Sequence, residues 1–275
     1  PFQIKKSYIM DLNLISSKLE QLQTKPGQNS NQKFDRSQYF WKAPMGKSQV
    51  RFVPYKENKE NPFTEVFFHY GIGSRTMISP INYGDKDPIV EFSKELRKTS
   101  EPENWRLAKK LEPKMRVFAP VIVRGEENKG VRFWEFGKQI YQELLSYAAD
   151  EDYGDFTDVV SGLDMTVEVV QGNPYPQTSI RVKPKQTSLS EDNALVEKWL
   201  AEQPELLKYY KKFTYDEMKS ALQEWLNPEE STEGDNISEG SSNDLGNKNK
   251  DAGYTLNVKT KETVSDSDFD DLFKD

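Results

Sequence analysis

Two short runs combine cations with aromatic rings at alternating positions. A strand sends odd and even positions to opposite faces. In residues 114–123, Met115, Val117, Ala119, Val121 and Val123 form one apolar face, while Lys114, Arg116 and Phe118 share the other. In residues 131–136, Arg132, Trp134 and Phe136 share a face opposite Val131 and Phe133. Trp105, Arg106, Lys109 and Lys110 crowd a helical stretch just upstream, and Arg181 and Lys183 share one face of a later run. Such a set suits a polymer that offers phosphates along its backbone and π-faces on unstacked bases, and it binds without reading sequence. Each stacked base contributes about 1–3 kcal/mol. Single-stranded RNA and DNA are both open at this point, because RNA-binding proteins use the same physics.

Other chemistry finds little support. The single histidine, His69, lies in the apolar-aromatic run F-F-H-Y and reads as structural. Gly71 and Gly73 do not extend to a phosphate-cradling loop, since the patterns G-x-G-x-x-G and G-x-x-x-x-G-K-[ST] are absent. Asp85 and Asp87 stand in G-D-K-D-P, where turn and N-cap roles fit better than a metal site. With no cysteine in the chain, thiol catalysis, disulfides and thiolate metal sites are excluded. No enzyme activity, cofactor or metal is expected.

These residues need a scaffold, and the punctuation suggests one dominated by strands. Short β-like runs cover 49–53, 64–70, 114–124, 131–136, 164–170 and 178–183, separated by Gly, Pro and Asn. Helices intervene. Asp87 and Pro88 form an N-cap and first turn ahead of Ile89, Phe92 and Leu96, and a second helix follows Gly137 with Ile140, Tyr141, Leu144, Leu145 and Ala148 inward. Residues 194–226 are helical again, with Leu195, Val196, Trp199 and Leu200 and then a capping box from Thr214 to Glu217 ahead of Met218, Ala221, Leu222 and Trp225. The expected class is α+β, an OB-like β-barrel core with helical insertions, although the pattern alone equally fits another small barrel.

Charge and composition divide the chain of 275 residues into three parts. Residues 1–32 hold an amphipathic helix with Leu12, Ile15, Leu19 and Leu22 on one stripe, then a polar linker T-K-P-G-Q-N-S-N. Residues 33–226 are the binding core. Residues 227–275 are rich in Ser, Gly, Asn and acid, too polar to offset their ordering entropy by burial, and are expected to form a disordered tail. The net charge of −7 is misleading, because 13 acidic and 5 basic residues fall in that tail. The rest carries about +1, and residues 94–138 hold 12 Lys/Arg against 7 Asp/Glu, so a phosphate-binding stripe is allowed. At the end of the tail, Asp268, Phe269, Asp270, Asp271, Leu272 and Phe273 interleave carboxylates with apolar side chains, the pattern of a partner-binding linear motif. The longest apolar run, residues 117–123, is far shorter than a membrane span, and no signal-peptide pattern opens the chain. A soluble, cytoplasmic protein without a membrane partner is expected.

The blocks V-R-F-V-P at 50–54, R-V-F-A-P-V-I-V at 116–123 and V-R-F-W-E-F-G-K-Q-I-Y at 131–141 resemble the T-even-type phage single-stranded DNA-binding, or helix-destabilising, proteins in both order and spacing. The similarity covers most of the chain. It implies an OB-fold core that coats single strands cooperatively during replication, recombination and repair, without catalysis. By motif position, Trp134 matches a DNA-contacting aromatic, Arg116 and Phe118 lie in the matching strand, Lys109, Lys110 and Lys114 match the basic run before it, and Tyr175 falls near another family aromatic. Lys5, Lys6 and Ser7 are similar to the family's self-association arm. The tail is similar to its acidic element, which recruits replication and recombination proteins such as a polymerase, helicase loader or recombinase. The best-known members bind zinc through one His and three Cys in the segment matching residues 70–92. Here that segment has no Cys, so a zinc-free variant is expected, with Ile78, Ile81, Tyr83, Ile89 and Phe92 packing a small apolar core instead. Two rival readings stay open: an RNA-binding or translational-repressor module, and a recombination mediator or scaffold that works through its tail.

Overall fold

The computed structural model describes residues 35–58, 60–72, 76–99 and 101–227. The expected arm with Lys5, Lys6 and Ser7, its helix and linker, and the tail with Asp268 to Phe273 lie outside those residues. By its contacts the chain divides between Ser37 and Gln38. The second unit carries everything described below.

Its centre is a mixed sheet of eight strands: β1 (Phe40–Trp41), β2 (Gly46–Phe52), β3 (Thr64–His69), β4 (Met77–Ile78), β5 (Lys114–Val123), β6 (Arg132–Phe136), β7 (Leu163–Val170) and β8 (Gln177–Gln186). The long strand β5 is the spine. Its one edge pairs with β6 from Val117↔Phe136 to Val121↔Arg132. Its other edge is shared, with β3 from Thr64↔Phe118 to Phe68↔Lys114 and with β2 from Val50↔Val123 to Phe52↔Val121. The ladder runs β1-β6-β5-β2-β7-β8, with β3 joined to β5 and β4 joined to β3. The α+β class is as expected, but the closed barrel is not. β1 is two residues long and pairs in parallel with β6, and among the described residues no ladder joins it to β8, so the sheet is open.

Among the described residues five α-helices dress the sheet: α1 (Pro88–Lys98), α2 (Pro102–Leu111), α3 (Lys138–Ala149), α4 (Asn193–Ala201) and α5 (Tyr215–Leu226). Their starts follow the sequence closely. Asp87 caps α1 by accepting from the Ile89 and Val90 amides, with Pro88 at the first helical position. Thr214 and Glu217 form the capping box of α5.

Apolar side chains cover both faces of the central strands. One core gathers Val50, Phe52, Val117, Ala119, Val121, Trp134, Phe136, Met165, Val167, Ile180 and Val182 under Ile140, Tyr141 and Leu144 of α3. On the opposite face, Val66, Phe68, Phe118 and Phe133 pack with Ile89 and Phe92 of α1, Leu111 of α2, and Met218 and Leu222 of α5. Burying aromatic side chains on both sides supplies most of the driving force, since each removes a large apolar area from water. A smaller third cluster seats Trp199 and Leu189 against Val53 and Ile122.

The small apolar core expected around residues 78–92 forms in part. Ile78, Ile89 and Phe92 are buried and Tyr83 packs against them, but Ile81 is 42% exposed. Ile81 lies in a 3-10 turn, Pro80–Tyr83, capped by Ser79, and that tight turn places the side chain outward.

Candidate nucleic-acid interface

Four of the expected cations converge. Arg106, Lys109 and Lys110 stand at three- and four-residue spacing on α2, so they share one side of the helix, while Ala108 and Leu111 are buried on another. Lys114 opens β5 three residues after α2 ends. All four line a cleft of about 500 Å³ whose remaining wall is Tyr70, Gly71, Ile72 and Trp225. Lys109 and Lys110 also lie in the last turn of α2, where cations complement the helix dipole. That effect accounts for two charges near a helix end, but not for Arg106 and Lys114 facing the same space. Among the described residues, Arg106, Lys109 and Lys114 make no ion pair with a carboxylate, whereas Arg97, Arg116, Arg124 and Arg132 do.

The aromatic side of the cleft comes from residues outside the expected set. Tyr70 directly follows β3 and is 43% exposed, its ring centroid 6.1 Å from that of Phe68. Gly71 turns the chain there with a φ of 72°, a left-handed conformation that L side chains rarely adopt. Trp225 sits in the last turn of α5, one turn beyond the buried Leu222. Tyr70 ends the expected β-like run 64–70, and nothing in that run shows that its ring is exposed beside a cluster of cations. The helical stripe that placed Trp225 with Met218 and Leu222 gave no sign that its ring borders a cleft.

Trp105 is 48% exposed on α2, with Arg97 Cζ and Lys109 Nζ each 5.6 Å from its ring centroid. These are cation–π contacts, and they hold the ring beside the cations of the cleft.

The other expected site residues lie elsewhere. Phe118, Trp134, Phe136 and Arg132 are buried, each at 3% exposure or less, so none presents a surface for a base to stack on. The reason is register. Phe118 pairs with Glu135 and Ala119 with Trp134, so the basic-aromatic faces of the two runs lie on opposite sides of the sheet. Alternation within one strand does not contain this pairing, and both sides of the sheet are covered. Phe118 packs in the core with Phe40, Phe68 and Tyr210 at centroid distances of 6.1 to 6.3 Å, and Trp134 with Trp41, Phe52 and Phe136 at 4.9 to 6.0 Å. Arg132 donates to Glu126 at 2.6 Å. Arg116 shares its face with Phe118 and donates to Glu135 at 2.8 Å, outside the cleft lining. Arg181 and Lys183 lie on β8, three strands along the ladder from β5, and Tyr175 is 60% exposed in the turn between β7 and β8. The structure does not bring these three to the cleft.

His69 is structural, as the sequence suggested. It is buried, with Nδ1 3.0 Å from the Leu111 carbonyl and Nε2 2.9 Å from Asp87 Oδ2. Burial opposes the Asp87 charge. Hydrogen bonds and attraction from His69, with hydrogen bonds from Ser79 and the Val90 amide, outweigh it and hold the carboxyl below its ordinary range.

No helix among the described residues is long and apolar enough to cross a membrane. No curated protein matches the chain. A protein family described as gp32 DNA binding protein like does match, over residues 45–227, which includes all eight residues that line the cleft. The chain belongs to this gp32-like family of DNA-binding proteins.

Proposed function

We propose that the protein binds single-stranded DNA without sequence preference, with the phosphate backbone running along Arg106, Lys109, Lys110 and Lys114 and bases stacking on Tyr70, Trp225 and Trp105. The observation that carries this reading is the convergence of four cations and two aromatic rings on one cleft. Phosphate neutralisation supplies affinity without reading sequence, and any base has a π-face to stack. The cooperative coating of strands in replication, recombination and repair belongs to the same proposal. So do self-association through Lys5, Lys6 and Ser7 and recruitment of replication and recombination proteins through Asp268 to Phe273. These rest on the sequence resemblance, since the family match covers residues 45–227 and not the two ends.

Fluorescence titration of oligo-dT across a salt series tests the proposal. Four neutralised phosphates give a slope of log affinity against log salt of about −3, at roughly −0.7 per contact for single strands. Replacing Lys109 and Lys110 together by Ala moves the slope to about −1.4. A slope unchanged by that double substitution rejects the cleft as the binding site, and a preference for matched RNA in competition turns the reading to an RNA-binding module.

A further inference from the structure

The two walls of the cleft come from distant parts of the chain, and one buried side chain joins them. Tyr70, on one wall, directly follows His69 at the end of β3. Arg106, Lys109 and Lys110, on the other, ride on α2, whose last residue is Leu111. The His69 ring reaches from the first wall to the second, with Nδ1 3.0 Å from the Leu111 carbonyl oxygen. Its other nitrogen lies 2.9 Å from Asp87 Oδ2, and Asp87 is fixed in turn as the N-cap of α1 through the Ile89 amide at 2.9 Å and the Val90 amide at 3.2 Å. The Ser79 hydroxyl donates to the same Asp87 oxygen. His69, Asp87 and Ser79 are all at least 97% buried, so water cannot substitute for any of these contacts.

We propose that His69 is a positioning residue of the strand-binding cleft, protonated on both ring nitrogens, which sets the separation between the Tyr70 wall and the cation-bearing helix. The hydrogen-bond chemistry leads there. A carbonyl oxygen only accepts, so Nδ1 donates to Leu111. Asp87 already accepts two amides and a hydroxyl, the pattern that keeps a carboxylate ionised, so Nε2 donates as well. A ring with two donors aimed at two fixed acceptors is held at both ends, and a neutral ring loses one tether. The tether matters for binding because phosphate contacts depend on where the cations stand relative to the stacking ring.

This inference rests on the cleft being the DNA site, and the tests separate the two. His69 is the only histidine of the chain, so its ring signals are unambiguous in the full-length protein labelled with 15N-histidine. At neutral pH both ring nitrogens are expected at protonated shifts in a long-range 1H–15N spectrum. One protonated and one unprotonated nitrogen overturns the doubly tethered ring. In binding, His69→Gln keeps reach toward Asp87 but loses the tie to Leu111, and oligo-dT affinity is expected to fall about tenfold, the worth of one charge-assisted hydrogen bond. His69→Asn places an amide near the Nδ1 position, so its affinity is expected within about threefold of wild type. A residue that acts through the cations also couples to them, so His69→Gln combined with Lys109→Ala should lose less than the two losses added together. Strict additivity, or equal losses in His69→Gln and His69→Asn at matched thermal stability, overturns the positioning role. If Lys109→Ala alone leaves DNA affinity and its salt slope unchanged, the cleft reading fails instead, whereas the ring-nitrogen result stands apart from it.

Discussion

Arg51 Nη1 lies 3.2 Å from Asp164 Oδ1, with the Arg51 side chain fully buried. The same carboxylate receives Arg124 Nη2 at 2.9 Å and Arg124 Nε at 3.1 Å. One Asp on β7 thus neutralises two guanidiniums, one from β2 and one from the residue after β5, and binds the three strands at one point. The segment after β8 joins in, because Arg51 donates to the Thr187 carbonyl and Arg124 to the Leu189 carbonyl.

Replacing Asp164 by Asn keeps the shape but removes the carboxylate paired with the buried Arg51 and the partly buried Arg124. Breaking one partner of a buried pair costs about 3–5 kcal/mol, and this carboxylate serves two. Urea unfolding of Asp164→Asn is expected to show a loss in that range or above. DNA affinity of the remaining folded protein is expected to be unchanged, because none of the three residues lines the cleft. A cost below about 1 kcal/mol would mean that solvent reaches the cluster and screens it.

Trp134 and Phe118 give a second prediction, on opposite faces of one sheet. Each is fully packed, so Trp134→Ala and Phe118→Ala should each destabilise by about 3–5 kcal/mol through lost transfer energy and a residual cavity. Chemical denaturation measures the loss, and a titration corrected for the folded fraction measures binding. Wild-type stability combined with weakened binding in Trp134→Ala would show that the ring leaves the core to meet DNA.

How much of this was legible in the sequence depended on whether a signal was local. The capping box at Thr214, the Asp87 cap and six of the eight strands are written in neighbouring residues, and they formed where expected. β1 and β4 are two residues each, too short to show alternation, and only their partners β6 and β3 define them. Arg106, Lys109, Lys110 and Lys114 were found because one helix and the following strand keep them together. Trp134 was misplaced because its face depends on the pairing Ala119↔Trp134 and on whether helices cover that face, neither of which local alternation contains. Tyr70 and Trp225 meet the cations only in the folded chain.

Acid should weaken the fold through Asp87. Its folded carboxyl titrates below its unfolded value, so the stabilisation is present above about pH 4 and is lost as pH falls through the lowered folded value. Glu126, held down by Lys129 and Arg132, acts in the same direction, but its side chain is 40% exposed, so solvent screens it and it contributes little. The urea midpoint of the wild type should therefore drop as pH falls below about 4. Asp87→Asn should start less stable and show a shallower drop over the same range. An equal drop in both proteins would place the acid sensitivity in other carboxylates.

Tyr70 offers the sharpest separation of binding from folding. It is one of the few large aromatics on the surface, at 43% exposure, and it lies at the end of β3 rather than within the paired ladder. Removing its ring therefore takes away less buried area than removing a core ring, so Tyr70→Ala should cost less than the roughly 3–5 kcal/mol of the core aromatics. If a base stacks there, affinity for oligo-dT falls by about 1–3 kcal/mol, or roughly 5- to 150-fold. Tyr70→Phe keeps the π-face and should bind nearly as wild type. The salt slope distinguishes this loss from that of a cation, because a stacking ring releases no counterions. Tyr70→Ala should lower affinity at every salt concentration by the same factor, whereas Lys109→Ala should also flatten the slope by about 0.7. Trp225→Ala should behave like Tyr70→Ala in binding but with a larger loss of stability, since that ring also packs against the core beside Leu222. Parallel lines for Tyr70→Ala and wild type, offset by that factor, would place a base on the tyrosine. Coincident lines would remove Tyr70 from the binding surface and leave stacking to Trp225 in the cleft and Trp105 beside it.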